Sequence, residues 1–153
     1  MTAMDSAYDL ELKTSLKSLI DSGEIEVNEP DYYFELIERH YPISSNRIDW
    51  ERVGGSIAEY IEEESKSEQL KKFLNLVLKE DSSLSLENVV VFGDDLLNFA
   101  YKLRFENFMK HHEIFFSIPQ HTFVIFEESK KCINYTFEND IYFGNPTPED
   151  SES

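Results

Sequence analysis

The C-terminal part of the chain leaves the fewest ways to fold. The runs "EIFFSI", "TFVIF" and "CINYTF", followed by the shorter "IYFG", are rich in β-branched and aromatic residues. The separators "PQH", "EESKK" and "END" are of hairpin length. Strands joined this tightly must lie side by side and run antiparallel, so the pattern predicts a meander. Side chains alternate between the faces of a strand, which puts Cys132, Asn134 and Thr136 on one face and Ile133, Tyr135 and Phe137 on the other. A turn centred near Glu128 and Ser129 sets Cys132 opposite Ile125 and His121 opposite about Thr136.

The N-terminal half reads at helical spacing. Leu12, Leu16, Leu19 and Ile20 recur on one stripe between Asp9 and Asp21, and Gly23 follows as a stop. Pro30 opens "DYYFELIERHY", which Pro42 ends. Asp49 can cap a third helix over "WERVGGSIAEYIEEES", with Trp50, Val53, Ile57, Tyr60 and Ile61 on one stripe and Gly54-Gly55 as a weak point. Ser67 starts a fourth, "SEQLKKFLNLVLKE", that buries Leu70, Phe73, Leu74, Val77 and Leu78. Between the halves, Val89 to Phe92 form a short strand, and Asp94 or Asp95 caps a helix through "DDLLNFAYKLRFENFMKHH". The fold class expected is α+β: N-terminal helices packed on a C-terminal antiparallel β meander, as one domain over residues 1–145, with a flexible acidic tail over 146–153.

Partners are constrained by charge. The 153 residues hold 31 acidic and 14 basic side chains, a formal net charge of −17. Residues 1–80 carry 18 acidic and 9 basic groups and residues 81–153 carry 13 and 5, so the halves contribute −9 and −8. The excess belongs to the whole surface. Such a field repels nucleic acid and anionic membrane, and it draws in a cationic protein. A single cysteine cannot close an internal disulfide, no basic start leads into an apolar run, and no apolar window is long enough to span a bilayer. These features suit a soluble protein of the reducing cytoplasm.

Catalytic and metal patterns are weak. Cys132 and His121 lie about four residues apart along the expected ladder, or about 13 Å at strand rise, too far for a nucleophile and its base. His111 and His112 are adjacent and diverge, and there is no second cysteine, HExxH or DxDxDG loop. "VVVFGDD" lacks the further glycines and lysine of a phosphate loop. No catalytic residue, metal or cofactor is expected.

A small acidic α+β chain without catalytic motifs, in which "FSIPQHTFVIF" leads into "CINYTFENDIYFG", resembles the immunity proteins of bacterial contact-dependent growth inhibition and related polymorphic toxin systems. The resemblance implies a cytoplasmic protein that binds the C-terminal toxin domain of an effector and neutralises it. Many such toxins are nucleases, which present cationic surface to phosphates. Glu62, Glu63, Glu64, Glu127, Glu128, Glu138 and Asp140 are the candidate contact acids, with Tyr135 or Tyr142 as aromatic anchors where exposed. Competing readings are an adaptor or nucleic-acid mimic of the same charge, and a small Cys/His-dependent enzyme.

Overall fold

A computed structural model describes residues 4–45 and 47–147. In chain order the elements are α1 (Ala7–Ser15), α2 (Lys17–Asp21), β1 (Glu26–Asn28), α3 (Asp31–His40), the two-residue strands β2 (Ile43–Ser44) and β3 (Arg47–Ile48), and β4 (Ile57–Tyr60). There follow α4 (Lys66–Glu80), β5 (Asn88–Gly93), β6 (Ala100–Arg104), α5 (Phe105–Phe116), β7 (Thr122–Phe126), β8 (Cys132–Tyr135) and β9 (Asp140–Gly144). Seven strands form one sheet in the order β1-β6-β5-β7-β8-β9-β4, with every neighbouring pair antiparallel. The protein is α+β, and β7, β8 and β9 make the meander that their hairpin spacing indicates.

Helices cover both faces of the sheet. On one, Leu12 of α1, Leu70, Phe73, Leu74 and Val77 of α4, and Phe108, Phe115 and Phe116 of α5 meet Val89, Val91, Leu103, Val124, Ile133 and Phe143. On the other, Tyr33, Leu36 and Ile37 of α3, with Tyr41, Trp50 and Val53 beyond it, meet Val90, Phe92, Phe123, Ile125 and Cys132. Central strands buried on both sides show unbroken burial, as β5 and β7 do.

Local chemistry explains the first elements. Ser6 caps α1 by accepting from the Asp9 amide, and the Asp9 carboxylate accepts from the Ser6 amide, a reciprocal capping box. Asp9 is fully buried, and its oxygens also accept from the Asn98 amide at 2.8 Å and the Tyr101 hydroxyl at 2.6 Å. One carboxylate therefore fastens the first helix to the strand connection from β5 to β6. Gly93, at the end of β5, lies where a Cβ would come 2.0 Å from the Gln120 side chain. That closeness lets the Gln120 carbonyl oxygen accept the Leu96 and Leu97 amides.

Three expectations are corrected. The stripe through residues 50–65 is not a helix: Trp50–Arg52 form one 3-10 turn, Gly55 takes φ +73°, and Ile57–Tyr60 are strand β4, paired with β9. The glycines break the helix, and the C-terminal strand supplies hydrogen bonds that a helix would have made internally. The helix placed after Asp94 begins at Phe105 instead, because Ala100–Arg104 are drawn between β1 and β5 as β6. Finally, "EIFFSI" is no strand. Helical spacing continues through it, so that Phe105, Phe108, His112, Phe115 and Phe116 bury one face of α5. The tail is described only to Thr147, whose amide and hydroxyl both donate to the His40 carbonyl at 2.8 Å; residues 148–153 of the expected tail lie outside the described residues.

Candidate protein-binding surface

The structure divides the candidate acids between opposite ends of the sheet. At one end the tight connection from β8 to β9 holds Asn139 at φ +70°, with its amide donating to the Thr136 carbonyl at 3.1 Å and the Tyr135 hydroxyl donating to its side chain at 2.7 Å. This turn throws Phe137 and Glu138 outward. Beside it, Tyr60 of β4 lies opposite Asp140, and the Ile61 amide donates to the Asn139 carbonyl at 2.8 Å. The chain then passes through Glu62, whose amide donates to the Gln69 side chain at 2.6 Å, into a 3-10 turn over Glu63–Ser65 that feeds α4. Glu62, Glu63, Glu64, Glu138 and Asp140 thus share one end, all exposed except the half-buried Asp140.

Two aromatic side chains stand among them. Tyr60 and Phe137 are 60% and 61% exposed, while the core on either side of the sheet is sealed. Neither was singled out by the sequence. Tyr60 reads as part of a helical stripe, and Phe137 as the end of a strand on the face of Ile133 and Tyr135. The signal that locates both is the turn chemistry of "END" together with the Gly54-Gly55 break.

Tyr135 is not an exposed anchor. It is buried under α5, with its ring 5.1 Å from that of Phe116, and burial pushes its phenol up to about 12. Tyr142 is half-buried and stacks on Trp50 with centroids 5.2 Å apart and planes 5° apart. It forms one wall of an open groove of about 490 Å³ on the α3 side of the sheet, lined also by Arg47, Trp50, His121, Asn134 and Thr136. Arg47 binds Glu138 across 3.1 Å and holds that carboxyl below the usual carboxylate range.

At the opposite end, Glu127 and Glu128 are engaged locally. The Glu127 carboxylate meets the Lys102 ammonium at 3.0 Å and raises the affinity of that ammonium for its proton. The amides of Glu128 and Ser129 both donate to Glu87 at 3.0 Å. Structure, then, brings five of the seven candidate acids together and places the other two in a braced hairpin turn.

Cys132 faces Ile125, the partner that the hairpin arithmetic gives. His121 precedes β7, and its Nδ1 accepts from the Phe137 amide at 3.4 Å. The two residues stand apart along the ladder. Cys132 is fully buried, and loss of water pushes its thiol well above the ordinary range. His112 is buried in α5 with Nδ1 2.8 Å from the Met109 carbonyl. Among the described residues no three His, Cys, Asp or Glu side chains converge as a metal site, and no helix is long and apolar enough to cross a membrane.

No protein-family model matches the chain, and no curated protein matches it at a significant level.

Proposed function

We propose that this chain is a protein-binding module of the immunity type, which captures and neutralises a cationic toxin domain in the cytoplasm. The observation that carries the reading is the joint placement of exposed Tyr60 and Phe137 with Glu62, Glu63, Glu64, Glu138 and Asp140 at one end of the sheet. Aromatic side chains that lose water on docking supply affinity, and a carboxylate rim supplies encounter rate and selectivity. The net charge of −17 and the resemblance of the C-terminal stretch to immunity proteins support the same reading.

The test is co-expression with the C-terminal domain of the protein encoded immediately upstream, followed by size exclusion and binding kinetics. A stable complex is expected. Replacing Glu62, Glu63, Glu64 and Glu138 together by Gln should slow association and flatten its dependence on salt. Tyr60→Ala or Phe137→Ala should speed dissociation about tenfold or more with the fold intact. Association indifferent to salt and to the four charge changes would refute the electrostatic reading.

A further inference from the structure

Strand β4 ends the sheet, with β9 on one side and, among the described residues, no strand on the other. Its hydrogen-bonding phase is fixed by its neighbour. The Ile61 amide bonds to the Asn139 carbonyl, and pairing partners alternate between bonded and unbonded in an antiparallel ladder. Ile57, Glu59 and Ile61 therefore direct their backbone groups toward β9, opposite Phe143, Ile141 and Asn139. Ala58 and Tyr60 direct theirs outward. Neither residue has a hydrogen bond to any described residue on that side, and both are exposed.

Of the devices by which natural proteins commonly protect exposed edges, the described residues of β4 carry a charge, Glu59, and neither a proline nor a bulge. The side chains at and beyond its C-terminal half are acidic or aromatic, and Arg47, which lines the groove beside Ala58, is paired with Glu138. Glu59 lies on the α4 side of the strand; Tyr60 lies on the other, opposite Asp140, and Glu62 to Glu64 continue from its end.

We propose that β4 is a docking edge that accepts an extended, lysine- or arginine-rich segment of the partner as an eighth strand, an inference that rests on the cationic-partner reading above. The outward N–H and C=O groups of Ala58 and Tyr60 bind the incoming backbone, as in strand addition generally. An incoming basic side chain on one face meets Glu59. On the other it meets the Tyr60 ring, whose face attracts a cation. The charge distribution selects this occupant over a second copy of the chain. Two copies of β4 placed edge to edge would bring the Glu59 side chains and the flanking acids of two bodies of net charge −17 together.

The experiment uses the full chain, isotopically labelled, and a short blocked peptide of alternating lysine and valine as probe. Amide exchange at Ala58 and Tyr60 should slow as the peptide is added, with little change at residues bonded to β9. Ala58→Pro removes one outward donor and none directed at β9, so the fold should survive and peptide binding should weaken about tenfold. Methylating alternate amides of the peptide should abolish binding without altering the protein at all. A peptide with glutamate for lysine should not bind.

Three results would overturn the proposal. The lysine peptide could bind while both amides stay unprotected, which leaves the cationic-partner reading standing and removes the edge from it. No binding at low salt up to millimolar peptide would remove it too, with the charge reading then judged by the toxin-domain kinetics alone. Protection that rises with protein concentration in the absence of peptide would assign the edge to a second copy.

Discussion

The indole N–H of Trp50 donates to Oδ1 of Asn134 at 3.0 Å, and the Asn134 side-chain amide donates in turn to the Thr122 carbonyl at 3.1 Å. Both side chains are buried, so a 3-10 turn outside the sheet is tied to β8 and, through it, to the start of β7. This relay fixes one wall of the groove on the α3 side. It also explains Gly144, where a Cβ would come 2.8 Å from the Trp50 ring.

Trp50→Phe should therefore destabilise the protein by about 2 to 4 kcal/mol, by combining lost volume with an orphaned buried amide oxygen. Asn134→Ala should cost about as much, because it strands the buried indole N–H and leaves a cavity. In urea unfolding the double variant should cost less than the two single changes added together. Simple additivity would show that the pair does not act as a unit.

Asp81 gives a pH signature. It caps the 3-10 turn Ser82–Leu86 and receives the Lys131 ammonium at 2.7 Å, which joins the end of α4 to the turn between β7 and β8. The Lys131 hydrogen bond, helped by Ser83, lowers its carboxyl from 3.8 to about 2. A carboxyl depressed in the folded state contributes stability above its unfolded value and loses it as pH falls through the folded value. Asp81→Asn should thus be less stable than the parent at neutral pH by about 1 kcal/mol or less, since both side chains keep some exposure. The difference should close between pH 3.8 and about 2. A gap that persists below that range would assign the effect to packing.

Cys132 should behave as a core residue. A small thiol reagent should leave it unmodified in the folded protein and modify it on unfolding, because the thiol is both covered and reluctant to ionise. Cys132→Ala should cost about 1 kcal/mol of stability and leave partner binding unchanged. Rapid labelling under native conditions would contradict the burial.

What the sequence makes legible is what neighbours in sequence decide. Hairpin turns fix β7 to β9, so the register Ile125 opposite Cys132 follows from counting alone. Amphipathic stripes give α3, which Pro42 ends, and α4. Strand β4 escapes because its partner β9 lies far away in sequence, and β6 because its apolar residues also fit helical spacing and its second partner, β1, is remote. Phe115 and Phe116 have strand-forming side chains, yet they pack on Phe108 two helical turns away on the same face, and burial overrides propensity. The candidate surface was half legible for the same reason. Its acids are visible as residues, but Glu62 to Glu64 meet Glu138 and Asp140 only because β4 pairs with β9.

The lateral position of β4 also bears on how the chain is made. Ile57 finds its place beside Phe143, which is synthesised much later, after an interval on the order of ten seconds at ordinary elongation rates. Throughout that interval the nascent segment has two bare flanks instead of one. Glu59 and the glutamates behind it then act as gatekeepers, repelling the same segment on neighbouring polysomal chains until the last hairpin arrives to claim it.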